Sequence, residues 1–236
     1  MQSKTAFGAV IDIFLSPTKA FSGLKEAKGW SWMAFALVMV FFSASQYSFY
    51  SSADPQYLVE QQMAMLSPDL SIDERKATES YMKQGAEYSV WVAIGGGIVG
   101  FIIINAIMAL YYSLISKMDL QSNSTYGAWY GFGFWTMMPM VINFFGVIIL
   151  VVTAGTDQLP LTLQNFASLN QLVLGLEPAD KLYALTESLN IFNIWGIVLT
   201  AIGLKVWTNF STNKASLFAC LPFIVIYLVW FVIALA

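Results

Sequence analysis

The chain has no histidine and a single cysteine, Cys220, among its 236 residues. Without imidazole there is no Ser-His-Asp or Cys-His catalysis and no haem ligation through histidine, and most zinc sites are excluded, because those chemistries use histidine as base or ligand. One thiol forms no intrachain disulfide and holds no cluster. No GxxxxGK[ST] phosphate loop occurs, which argues against ATP-driven work by this chain alone. Charge is scarce as well. Only 11% of residues are Asp, Glu, Lys or Arg, against about a quarter in a soluble domain. The net charge of −3 gives no basis for binding nucleic acid. No cofactor and no catalytic group are expected.

What remains is apolar: 58% of residues, 16% aromatic, with a mean hydropathy of +0.65. The charged residues leave long uncharged runs at 29–53, 88–116, 120–156, 158–176, 188–204 and 215–236. A spanning helix needs about 20 mostly apolar residues. The expected fold class is therefore all-α, a polytopic membrane helical bundle with five spans at 30–49, 90–115, 126–152, 190–207 and 217–235. Residues 1–29 are expected as cytoplasmic amphipathic surface helices, and 50–89 and 153–189 as extracytoplasmic segments. Trp30, Trp32, Tyr47 and Tyr50 bracket the first span, as aromatic residues do at the two interfaces. The third run exceeds one straight crossing and carries Pro139 near its middle, which predicts tilt, a kink or an interfacial lead-in. The run 158–176 is too dense in amides (Gln158, Gln164, Asn165, Asn170, Gln171) to sit bare in lipid. Leu169, Leu172 and Val173 share one stripe there, predicting a helix on the membrane or packed under a loop.

Five spans sort the charges. Seven lysines (4, 19, 25, 28, 117, 205, 214) against Asp12, Glu26 and Asp119 leave one side at +4; the other side carries −7. The positive-inside rule then places the N-terminus in the cytoplasm and the C-terminus outside it. Lys4 precedes an apolar stretch, but Asp12 interrupts it and no cleavage site follows, so no cleavable signal is expected.

Phe7, Val10, Ile11 and Phe14 fall at i, i+3, i+4 and i+7, one helical stripe. Ser16-Pro17 restarts a helix, with Phe21 and Leu24 on its apolar face and Lys25 and Lys28 able to meet anionic headgroups. This pair reads either as a membrane-surface device or as a plain lead-in to the first span. In 50–89, Ser71-Ile72-Asp73-Glu74 has capping-box spacing. Asp69, Asp73, Glu74, Glu79 and Glu87 could collect a divalent cation, whereas the interleaved Arg75, Lys76 and Lys83 favour a solvated face with local ion pairs.

Apart from Lys205, two residues from the end of the 190–207 span and able to snorkel, no charged residue falls inside a predicted span, which counts against proton- or ion-coupled transport. Asn105, Asn143 and Asn193, with Pro139, could line a path; equally, the amides could hydrogen-bond across helices. Gly96 and Gly100 form a small-xxx-small pair, and Gly196 and Gly203 sit seven apart on one face. Such glycines specify close packing, between spans or between subunits.

Three stretches together resemble the Yip1 domain family of five-span membrane proteins. They are Asp12 to Phe21, Pro139 with Asn143, and Ser188 to Trp207, which carries Phe192, Trp195, Ala201, Gly203 and Leu204. The resemblance implies a helical bundle with a cytoplasmic N-terminus. Eukaryotic members act in vesicle trafficking and associate with Rab-type GTPases; their D-L-Y-G-P element is absent from this chain, whose short N-terminal segment is similar to the bacterial branch. That branch implies a bacterial inner membrane. The leading expectation is a non-enzymatic membrane protein that organises the lipid bilayer or partner proteins, itself included as a homo-oligomer. The alternative is a transporter, channel or lipid-translocating protein.

Overall fold

In a computed structural model, which describes residues 2–66 and 70–235, the chain folds into helices, with no strand among the described residues. Two short helices, α1 (Ala6–Leu15) and α2 (Pro17–Glu26), form an N-terminal hairpin. Thr5 caps α1 by accepting from Gly8 N, and Pro17 occupies the first turn of α2, where its missing N–H costs nothing. The first long helix is α3 (Ser31–Ser52). Beyond it, α4 (Pro55–Ala64) and α5 (Ile72–Gly85) make a hairpin, and a 3₁₀ turn joins α5 to α6 (Ser89–Ser116) in one continuous run. The capping box expected at Ser71 forms: Ser71 Oγ accepts from Glu74 N, and Glu74 Oε2 accepts from Ser71 N.

The third apolar run divides into α7 (Tyr126–Thr136) and α8 (Pro139–Thr153), with Pro139 opening the second piece. Pro139 therefore marks a break and re-start rather than a mid-helix kink. After α8 come a 3₁₀ turn (Leu161–Asn165), a π turn (Asn170–Leu174) and α9 (Tyr183–Ser188). The chain ends in α10 (Ile191–Trp207) and α11 (Thr212–Leu235). Among the described residues four helical runs are long and apolar enough to cross a membrane: α3, α5–α6, α7–α8 and α11. Their outer faces carry exposed Val99, Ile103 and Leu110 on α6 and Ile224, Leu228 and Val232 on α11, an apolar surface suited to lipid.

Side-chain contacts fix the directions. Phe35 meets Phe134 at 5.0 Å and Phe42 meets Phe144 at 5.4 Å, so α3 and α7–α8 run the same way. Along α6, Phe101 meets Phe42, Asn105 meets Tyr130 and Tyr112 meets Trp129, the opposite order. Along α10, Asn190 bonds Asn143 and Trp207 packs on Trp129, again opposite. One end of the bundle thus gathers Lys117, Lys205 and Lys214 at the ends of α6 and α10 and the start of α11; this is the basic end.

The expected fourth span, 190–207, departs from an ordinary crossing. α10 has 17 residues, about 25 Å at 1.5 Å per residue, short of the roughly 30 Å hydrocarbon core. It starts level with Asn143, four residues into α8, so it begins inside the bundle. The amide-rich stretch fills the space left: Phe166 packs over Gly146, and Leu169 N and Ile191 N bond Leu189 O and Ala167 O as an antiparallel bridge between Ser168 and Asn190. The segment packs against the bundle through Phe166 and the Ser168–Asn190 bridge, and Leu172 and Val173 remain on its exposed side.

Candidate functional site

At the basic end the interior is aromatic. Trp129, Phe132 and Trp207 pack within 5.2 Å of one another by ring centroid, with Tyr112 5.4 Å from Phe132. Phe21 of α2 completes the cluster at 5.2 Å from Phe132, and Trp207 Nε1 donates to Phe21 O at 2.9 Å. Phe21 is fully buried, so its expected place on a membrane-facing stripe is corrected: Gly203, lacking a side chain, admits its ring to the core. Farther along, Phe14 meets Trp195 at 5.7 Å. Gly203 and Trp195 are eight residues apart, roughly 12 Å along α10. The hairpin therefore stands beside α10 with its turn pointing into the bundle's depth. Ile13 and Ala9 face inward, Val10 and Phe14 are half-buried, and Phe7, Ile11 and Leu15 are exposed. Asp12 joins the hairpin's two arms through Lys19 at 2.9 Å and Ser3 at 2.7 Å. Lys25 and Lys28 are exposed beside it.

The middle of the bundle holds a cavity of about 240 Å³ between α6, α7–α8, α10 and α11. Asn105, Asn193, Thr136, Thr200 and Gly196 line it, with Pro222 on α11. Asn105 is fully buried; its Nδ2 donates to Tyr130 O at 2.9 Å and its Oδ1 has no partner. Thr136 and Thr200 donate to carbonyls of their own helices, and Asn193 Nδ2 reaches Ser188 O at 3.5 Å. Gly196 lets Thr136 O approach to 2.9 Å of where a Cβ would stand.

Away from the basic end a second cavity, about 400 Å³, opens past Met65 and Asn165, both exposed. Gln46, Asn143, Gln164, Tyr183 and Glu187 line it, and Met140 lines both cavities. Glu187 is only 7% exposed. Its Oε1 accepts from Asn170 Nδ2 at 2.9 Å and from Gln171 Nε2, and its Oε2 accepts from Ser168 Oγ at 3.3 Å. Leu176 N donates to Asn170 Oδ1, which fixes the orientation of that amide. Burial, reinforced by the charge of Glu187, raises the Tyr183 phenol above its ordinary pKa.

The expected site residues are thus distributed. Asn105 and Asn193 share the middle cavity, while Asn143, accepting from Asn190 Nδ2 at 3.2 Å, belongs to the second. Gly96 and Gly100 have no neighbour within 4 Å of a would-be Cβ; the close approach on α6 is made by Gly97 against Phe42. In the acidic segment Glu74 serves the capping box and Glu79 pairs with Lys83 at 2.7 Å; Asp69 lies outside the described residues. Among the described residues no three His, Cys, Asp or Glu gather as a metal site. Glu187 escaped sequence reasoning because it sat among loop charges. The one signal was the surplus of amides at Gln164, Asn165, Asn170 and Gln171, without an evident acceptor.

A family model for the Yip1 domain matches residues 11–233, nearly the whole chain. The chain belongs to the Yip1 domain family. No curated protein and no solved structure matches it. The match takes in the hairpin from Ile11 onward, both cavities and the aromatic cluster, so all of these lie within the Yip1 domain itself. This Yip1-domain protein is an integral membrane protein in contact with the lipid bilayer.

Proposed function

We propose that this Yip1-domain protein is a non-enzymatic organiser of the bilayer and of partner proteins within it. It stands in a bacterial inner membrane with its N-terminus in the cytoplasm and its C-terminus outside. The observation that carries this reading is the anchored hairpin: Phe21 is locked beneath Trp207 while Phe7, Ile11 and Leu15 stay exposed on the same two-helix unit. A rigidly mounted apolar wedge displaces lipid in one leaflet, and Lys25 and Lys28 attract anionic headgroups at about 1 kcal/mol each. Gly96 and Gly100, open on the outside of α6, suit close packing against a span of a second copy or a partner. Reconstitution into phosphatidylglycerol-containing vesicles tests the reading. Wild-type protein is expected to shift vesicle diameters downward, and a Phe7→Asn, Ile11→Asn, Leu15→Asn variant to leave them unchanged. Turnover of a lipid or solute by the purified protein would sink it.

One observation favours a second reading, a path for a solute or lipid: the two cavities share Met140 as a wall. Proteoliposome flux that vanishes when Asn105 and Asn143 become Leu promotes this reading, and unchanged flux demotes it.

A further inference from the structure

We infer that the cavity at Glu187 is a binding site for a small organic ammonium ion, either free or as the headgroup of a lipid. The carboxylate of Glu187 has no cationic partner among the described residues. Glu187 is 93% removed from solvent, yet it takes part in neither ion pair found among the described residues, Asp12–Lys19 and Glu79–Lys83. The nearest cation in sequence, Lys181, is exposed and donates to Leu235 O. The three groups that hold Glu187 are two amides and a hydroxyl. Neutral donors orient a carboxylate without neutralising it, and a buried charge without a counter-charge is costly.

The cavity wall supplies the remaining features of an ammonium site. Phe42, Phe144 and Tyr183 line it, and aromatic faces attract a desolvated cation. The side-chain oxygens of Gln46 and Gln164 offer acceptors for N–H groups. A single carboxylate suits one positive charge; a hard divalent ion asks for six to eight oxygen ligands, and no acidic group of that kind is present among the described residues. The volume of about 400 Å³ exceeds a water's share of about 30 Å³ many times over, so an organic cation with apolar substituents fits. The exposed rim at Met65 and Asn165 gives it entry.

Calorimetric titration of the full chain in detergent with ethanolamine hydrochloride tests this, with sodium chloride at equal ionic strength as control. Saturable binding is expected for ethanolamine and none for sodium chloride. Glu187→Gln, which removes the charge at nearly constant shape, is expected to weaken binding at least tenfold. Tyr183→Leu keeps the carboxylate and removes a ring, and is expected to weaken it several-fold, so the proposal stays testable if the first variant fails to fold. A parallel measurement asks whether phosphatidylethanolamine survives delipidation on the wild-type protein. Retention identifies a lipid headgroup as the source, and its absence beside ethanolamine binding identifies a free amine. No saturable binding, or binding undiminished in either variant, overturns the proposal.

Discussion

Gly133 and Asn105 form a lock between α6 and α7 that one methyl group should break. A Cβ on Gly133 would overlap Asn105 Oδ1 and stand 2.9 Å from its Cγ. Asn105 is fully buried and its Nδ2 is held by Tyr130 O at 2.9 Å, so turning the amide toward the cavity it lines breaks that bond. Gly133→Ala must therefore either push the helices apart or rotate the amide out of its bond. Overpacking costs about 1–3 kcal/mol, and an interhelical hydrogen bond in a membrane about 0.6 kcal/mol. The expected loss is about 2–3 kcal/mol, read as a shift in reversible unfolding in mixed micelles. Asn105→Ala removes the obstruction, so the double variant should be more stable than Gly133→Ala alone, with a coupling of about 1–2 kcal/mol. Gly95→Ala is the control; it has nothing within 4 Å and should cost nothing, since Ala is the better helix former by up to about 1 kcal/mol. Wild-type stability in Gly133→Ala, or strictly additive effects, would refute the lock.

Three further outcomes are expected. Trp207→Phe keeps an aromatic ring, though a smaller one, and loses the donor to Phe21 O, so amides of α2 should exchange measurably faster while those of α6 do not. Asn209 N–H bonds hold the Asp119 carboxyl below the ordinary 3.8, helped by Asn209 Nδ2, Gln121 N and the charge of Lys25. A depressed pKa means the latch is intact above the ordinary value and lost as pH falls through the lowered one. The Asn209 amide resonance should titrate with a midpoint below 3.8; a midpoint at or above 3.8 contradicts the latch. Glu74, lowered from 4.5 by the Ser71 hydroxyl and then by its backbone N–H, follows the same sign. The first turn of α5 should fray with a midpoint below pH 4.5, and Glu74→Gln should remove that step, as read by the amide shift of Ser71, whose N–H bonds the carboxylate.

Where a feature of this fold is local, the sequence carries it. The Ser71 capping box, the helix starts at Pro17 and Pro139, and the runs that became α3, α6 and α11 each follow from residues within one or two turns of each other. Phe21 shows the limit. Its spacing with Leu24 describes an apolar stripe equally well for lipid and for a protein core, and the deciding partner, Gly203, lies 182 residues away. Glu187 fails for the same reason. Its donors Ser168, Asn170 and Gln171 come from another segment, brought over it by the Ser168–Asn190 bridge. The short α10 combines both effects: its apolar stretch was legible, but its depth depends on Asn190 meeting Asn143 on α8.

The scarcity of charge and the lack of histidine take on a different meaning in the folded chain. The interior is not uniformly inert: the basic end is sealed by aromatic rings, and the opposite half carries amides and one carboxylate. Phe21 is the point where the organiser and the path readings meet. It is the ring of the seal that comes from the N-terminal hairpin, and its hold on Trp207 is one hydrogen bond. A hairpin that stays put makes a wedge for the leaflet beside a closed bundle. If α2 withdrew, the loss of Phe21 would open space beside Gly203 and Phe132, the layer that separates the middle cavity from the basic end. Trp207→Phe therefore separates the two readings. An organiser loses vesicle remodelling as the hairpin loosens, whereas a gated path gains flux.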